Sequence, residues 1–146
     1  MYDMLKLIHP SFAEALPILT NVLSSFGLPR SCSKILATLY LSEKPLSGKE
    51  LTQITGYSKS AVSATMKMLE ARKIITVYKQ GKNRIYAPNL TFSQLFIESH
   101  ITILEKAKSL MKDLRYRKGN SISSKLEKME KEISIILNLL KGDKDE

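Results

Sequence analysis

The stretch YSKSAVSATMKMLEARKII, residues 57–75, carries the most suggestive chemistry in the chain. At about 100° per residue of α-helix, Val62, Met66 and Leu69 gather as an apolar seam, and Ser60, Ser63, Ala64, Lys67 and Ala71 fall opposite. That outer face holds hydroxyls, small side chains and a cation, but no carboxylate. Small residues let a helix approach a duplex closely, hydroxyls donate to phosphate, and an ammonium meets phosphate or a guanine edge. Ser58 and Lys59, at the helix start, extend the same chemistry. A second cationic group follows in Lys79, Lys82 and Arg84 around the sequence QGKN, suited to the backbone or minor groove of the same polyanion. Each feature has a plainer reading: a polar stripe also describes a solvated helix face, and basic hairpin tips also guard against edge-to-edge aggregation.

Catalytic and metal chemistry is poorly supplied. His9, His100 and Cys32 lie far apart, with no CxxC, HxxxH or carboxylate cluster at ligand spacing, so no metal or cofactor is expected. Cys32 stands near a helix start, where a lowered pKa would make a thiol switch. No Ser/His/Asp arrangement, phosphate loop or dinucleotide fingerprint occurs, which points to binding rather than turnover.

Charge distribution weighs against the plainer readings. The 146 residues carry a net +9. Residues 43–88 hold nine Lys/Arg against three Asp/Glu, a net +6, leaving +1 for residues 1–42 and +2 for residues 89–146. Two thirds of the excess in under a third of the chain points to nucleic acid. The 43% hydrophobic content suits one globular domain with an appended element. With no apolar run of about 18 residues, no membrane span is expected. The start MYDMLKLIHPSFAEALPILT does not read as a secretion signal. A single cysteine fits a reducing, cytoplasmic setting.

The elements that would position these groups are legible in order. Phe12, Leu16, Leu19, Leu23 and Phe26 recur at helical spacing, with Pro17 expected to kink that helix or reset its start. FGLPRS breaks it, and Ile35, Leu36, Leu39 and Tyr40 form a short helix ending before Pro45. Ser47 and Glu50 make a capping box for a third helix carrying Leu51 and Ile54, closed by Gly56 as a left-handed cap. Ser58 caps the next helix after only two residues, and helices joined so tightly cross steeply as a helix-turn-helix. IITVYK and RIYAP alternate around QGKN as a β-hairpin, which in this place is a wing.

Together these features resemble the winged-helix transcription regulators of the MarR superfamily, with the GbsR-like branch, archaeal members included, as the nearest likeness. The likeness covers roughly residues 27–88. It rests on GLPRS before the first domain helix, LYLSEKPLS before the second, SKSAVS opening the third, and the glycine-centred basic wing ending in RIY. It implies a mainly α fold with a small β-hairpin and a winged helix-turn-helix domain at 27–90. A recognition helix at 58–72 would enter the major groove of double-stranded DNA, with Ser58, Lys59, Ser60, Ser63 and Lys67 facing it. A wing at 79–84 would bring Lys79, Lys82 and Arg84 to the flank. Some relatives imply a small-molecule effector. Two positions depart from the family. Ala64 stands where related helices often carry a long polar side chain, implying modest selectivity, and Lys73 stands where glycine commonly ends the helix, implying an altered turn.

Residues 91–114 read as one helix, N-capped by Thr91 and ended by RYRKGNS with Gly119 as its breaker. Its apolar side includes Phe92, Leu95, Leu110 and Leu114. Ser121 would cap a second helix in which Ile122, Leu126, Met129, Ile133, Ile136 and Leu140 form a coiled-coil seam. Such a helix wants a partner surface. Residues 91–146, joined by an N-terminal helix within 1–26, are therefore expected to hold a homodimer. The resulting reading is a dimeric, sequence-selective regulator of transcription. An architectural DNA binder of low specificity and a winged-helix module for protein partners are the alternatives.

Overall fold

The computed structural model describes residues 11–118 and 121–142, so His9 and Gly119 lie outside the described residues. Among these are six helices and three strands: α1 (Phe12–Ser24), α2 (Arg30–Leu41), β1 (Leu46–Ser47), α3 (Gly48–Thr55), α4 (Lys59–Ala71), β2 (Ile75–Gln80), β3 (Asn83–Pro88), α5 (Phe92–Lys118) and α6 (Ser123–Lys141). The expected class, mainly α with a small β element, is the one observed. The chain divides into two compact units between Phe92 and Ser93.

In the first unit, α2 is the central element, packed by α1, α3, α4 and β3. It starts directly after Pro29 and buries Cys32, Ile35, Leu36 and Leu39. Helix α1 covers it with Phe12 and Leu23, followed by the buried Phe26, and Arg30 Nη1 on α2 donates to Asn21 Oδ1 on α1 at 2.9 Å. Pro17 does not reset the start of α1: it sits inside the helix, in its second turn. There its ring lacks the N–H that would have met the Ala13 carbonyl and crowds that same carbonyl, which bends a helix without ending it.

The hairpin belongs to a three-stranded antiparallel sheet of order β1-β3-β2. The two-residue β1, unforeseen in the sequence, pairs Leu46 with Tyr86 and Ser47 with Ile85. Strands β2 and β3 run in register from Ile75 opposite Pro88 to Gln80 opposite Asn83. The turn is therefore Gly81–Lys82 alone, tighter than the four-residue QGKN. Gly81 has φ 67°, and a positive φ at the first of two turn residues is what a type II′ hairpin demands.

In the second unit, α5 continues through Arg115 to Lys118 instead of ending at RYRK. Arg115 is held within the helix because its guanidinium binds the Glu130 carboxylate of α6 in two-pronged fashion, Nε to Oε2 and Nη2 to Oε1, both at 2.9 Å. Lys141 Nζ also reaches Glu105 Oε2 at 2.8 Å. Helix α6 starts after Ile122 rather than on a Ser121 cap, with no side-chain capping bond, and ends at left-handed Gly142.

Candidate nucleic-acid interface

The helix-turn-helix is assembled from local bonds. Glu50 N–H donates to Ser47 Oγ at 3.1 Å and Ser47 N–H to Glu50 Oε1 at 2.9 Å, the reciprocal capping box. Gly56, at φ 79°, closes α3 by donating its N–H to the Thr52 carbonyl at 2.9 Å. The buried Thr55 hydroxyl donates to the Leu51 carbonyl at 2.7 Å and accepts the Tyr57 N–H at 3.2 Å. Lys34, from α2, donates to the Thr55 carbonyl at 3.1 Å while its ammonium lies 5.4 Å from the Tyr57 ring centroid. A cation at a helix C-terminus satisfies its free carbonyls, and the tyrosine face adds to the attraction. Sequence reading missed Lys34, whose partners lie 21 residues or more away.

Helix α4 is set by its N-cap and its seam. Ser58 Oγ accepts the Ala61 N–H at 3.1 Å and lies 3.3 Å from Ser60 Oγ. Val62, Met66 and Leu69 are buried. Burying such side chains contributes about 1.5–3 kcal/mol each, which fixes the helix's rotation and turns its other side outward. Ser58, Lys59, Ser60, Ser63, Ala64, Lys67 and Ala71 are all exposed.

The turn after α4 keeps the geometry of a glycine cap despite Lys73. The Lys73 N–H donates to the Glu70 carbonyl and the Ile74 N–H to the Leu69 carbonyl, both at 2.9 Å. This pair of bonds is the Schellman motif, and Lys73 adopts the left-handed φ of 61° that it requires. The altered turn expected at this position does not occur. Leu69 and Ile74, the two positions whose apolar side chains often accompany the motif, are both buried.

On the wing, Lys79 stands directly opposite Arg84, and Lys82 occupies the turn; all three are exposed. Like charges directly opposed across two strands destabilise a hairpin, and an anion between or beside them would relieve that repulsion. The half-buried Tyr86 on β3 lines two adjoining clefts. One, of about 520 Å³, is also bordered by Gly48, Lys49, Thr52, Gln53, Lys59, Val62 and Ser63. The other, of about 310 Å³, adds Ser47, Lys82, Asn83 and Arg84. Lys59 and Ser63 of α4 thus share one cleft with Lys49 of α3, and Lys49 shares the next with Lys82 and Arg84. Among the described residues, no carboxylate lines either cleft. Lys67 and Lys79 line neither. Lys49 was missed, although its place in the first turn of the helix before α4 was a usable signal.

The other chemical residues are accounted for. Cys32 is buried, and burial pushes its thiol up to about 11, with Arg72 only partly opposing. The lowered pKa entertained for a thiol switch is therefore reversed, because the low-dielectric core disfavours the thiolate. A ring nitrogen of His100 lies 2.8 Å from the Phe96 carbonyl on its own helix. Among the described residues, no three His, Cys, Asp or Glu converge as a metal site, and no helix is long and apolar enough to cross a membrane.

The residues expected at a dimer contact divide by burial. Phe92, Leu110, Ile122, Met129 and Ile136 are exposed, and Leu114, Leu126 and Leu140 are half-buried. Leu95 and Ile133 are closed off within the chain, so they offer no surface to a partner. Exposed Phe96, Ile103 and Leu110 recur every seven residues on α5, as do Ile122, at the N-cap of α6, and Met129 and Ile136 within it.

Comparison with known proteins agrees with this fold. The MarR family model matches residues 26–84. The HTH-type transcriptional repressor OpcR of Bacillus subtilis is 26% identical over 125 residues, covering 80% of this chain and 68% of OpcR. YvaV of the same organism, named among HTH-type transcriptional regulators, is 27% identical over 97 residues, covering 65% of this chain and 55% of its own length. A crystal structure of a transcriptional regulator shares the fold with a TM-score of 0.72 at 16% identity, over 90% of this chain and 94% of the other.

Proposed function

We propose that this chain, whose residues 26–84 match the MarR family model, is a homodimeric winged helix-turn-helix regulator of transcription that binds double-stranded DNA sequence-selectively. Residues 58–72 enter the major groove. Ser60, Ser63 and Lys67 lie against it, with Ser58 and Lys59 at the helix start. The wing at 79–84 brings Lys79, Lys82 and Arg84 to the flanking backbone. The observation that carries this reading is the outward side of α4, exposed, small and basic, beside a wing whose cations oppose each other without an acid between them. Ala64 leaves part of that face without a long base-reading side chain, so phosphate contacts and DNA shape supply much of the affinity.

Exposed apolar rows on α5 and α6 support a dimer held by residues 92–140, of which Phe92, Leu110, Ile122, Met129 and Ile136 form the contact, flanked by Leu114, Leu126 and Leu140. Two-fold symmetry then sets recognition helices about 34–36 Å apart on a palindromic site. Within the superfamily the GbsR-like branch fits best, and likeness to a protein named as a repressor makes repression the favoured sign. A small-molecule effector acts by binding one separation of the recognition helices better than another. The site of action is the cytoplasm. Replacing Lys67, Lys82 and Arg84 together by Ala tests the interface: the slope of log K against log salt falls by roughly 0.9 per lost phosphate contact. An unchanged affinity and slope would instead favour a protein-binding module.

A further inference from the structure

The corner between α4 and the wing is fastened by one residue that lies on neither the outer face of α4 nor the wing tip. Asn89, just beyond β3, donates its backbone N–H to the Ile74 carbonyl at 2.8 Å and its Nδ2 to the Lys73 carbonyl at 3.0 Å, while its Oδ1 accepts the Thr76 hydroxyl at 2.9 Å. These three bonds tie the exit of the wing to its entry, at the point where Lys73 is held at φ 61°. A non-glycine residue persists in that region when its surroundings over-determine it. The need for a fastening follows from the sheet order. Strand β1 supports only β3, and β2 is an edge.

We propose that Asn89 is a positioning residue for DNA binding. It fixes the angle at which the wing leaves the recognition helix, so that Lys79, Lys82 and Arg84 reach the duplex already oriented. The proposal rests on the reading of α4 and the wing as the DNA interface. Without the fastening, the wing's cations must be ordered at the moment of binding, and that ordering is charged against affinity.

The test is a thermodynamic cycle on the full-length protein with its own upstream DNA over a salt series. Asn89→Ala lowers affinity and reduces the salt slope by roughly one to two, the loss of one or two phosphate contacts. In a Lys79→Ala/Lys82→Ala/Arg84→Ala background the same change has little further effect, because the contacts it positions are already gone. Thr76→Val reproduces part of the loss and serves if Asn89→Ala does not fold, whereas Thr76→Ser, which keeps the hydroxyl, binds as wild type. Amide exchange quickens at residues 73–89 but not in the buried seam of α4. Equal losses in both backgrounds, or no loss at all, would overturn the positioning role alone. Absence of DNA binding by the wild type would instead remove the interface on which it rests.

Discussion

Lys73 occupies a backbone region that costs a lysine about 1–2 kcal/mol, yet the cap bonds and the Asn89 side chain hold it there. Lys73→Gly removes that cost and restores some unfolded-state entropy, for a net gain of about 0.5–1 kcal/mol. A raised urea midpoint at unchanged slope would register it. The sequence marked the position as a departure but misjudged the consequence, because the Schellman bonds to the Glu70 and Leu69 carbonyls outweigh the side chain's preference. Cys32 shows the same limit. Its neighbourhood in sequence suggested an activated thiol, whereas packing on all sides pushes its pKa up to about 11. At pH 8 only roughly one thiol in a thousand is then ionised. The folded protein should resist iodoacetamide and react on unfolding in urea; rapid alkylation under native conditions would contradict that burial.

The caps of α3 and α4 were legible in advance, since Ser47, Glu50, Gly56 and Ser58 act on backbone groups three or four residues away, whereas the Ser121 cap and the length of the wing turn were not. Nor was strand β1. Two residues carry no periodicity, and their strand exists only because Tyr86 and Ile85 lie alongside. The wing shows an element giving up stability for its task. Arg84→Thr relieves the opposed cations and should stabilise the hairpin by about 0.2–1 kcal/mol while weakening DNA binding, two readouts moving in opposite directions. Between α5 and α6, the hydrogen bonds and charge of Arg115 hold the Glu130 carboxyl below its usual value near 4.5, against the opposing effect of burial. Its contribution is therefore complete at neutral pH and is lost as pH falls through that depressed value. Melting curves of wild type and Glu130→Gln should separate at pH 7 and converge in acid; a constant gap across pH would contradict the pairing.

The charge excess in residues 43–88, visible in the bare sequence, coincides in the molecule with α3, α4 and the wing. The terminal helices were harder to read, because a heptad seam reports that something covers it and not what. Their own chain covers Ile133 and leaves Met129 and Ile136 open. If those open rows meet a second copy, Leu110→Glu/Ile136→Glu yields a folded monomer by light scattering, with DNA affinity reduced by at least tenfold as the second half-site is lost. The most direct test of the central claim is a titration of the protein against its own upstream region and a scrambled duplex across a salt series. Tight binding that prefers the upstream DNA and weakens steeply with salt is the expected result. Failure to bind either duplex at low salt would contradict it.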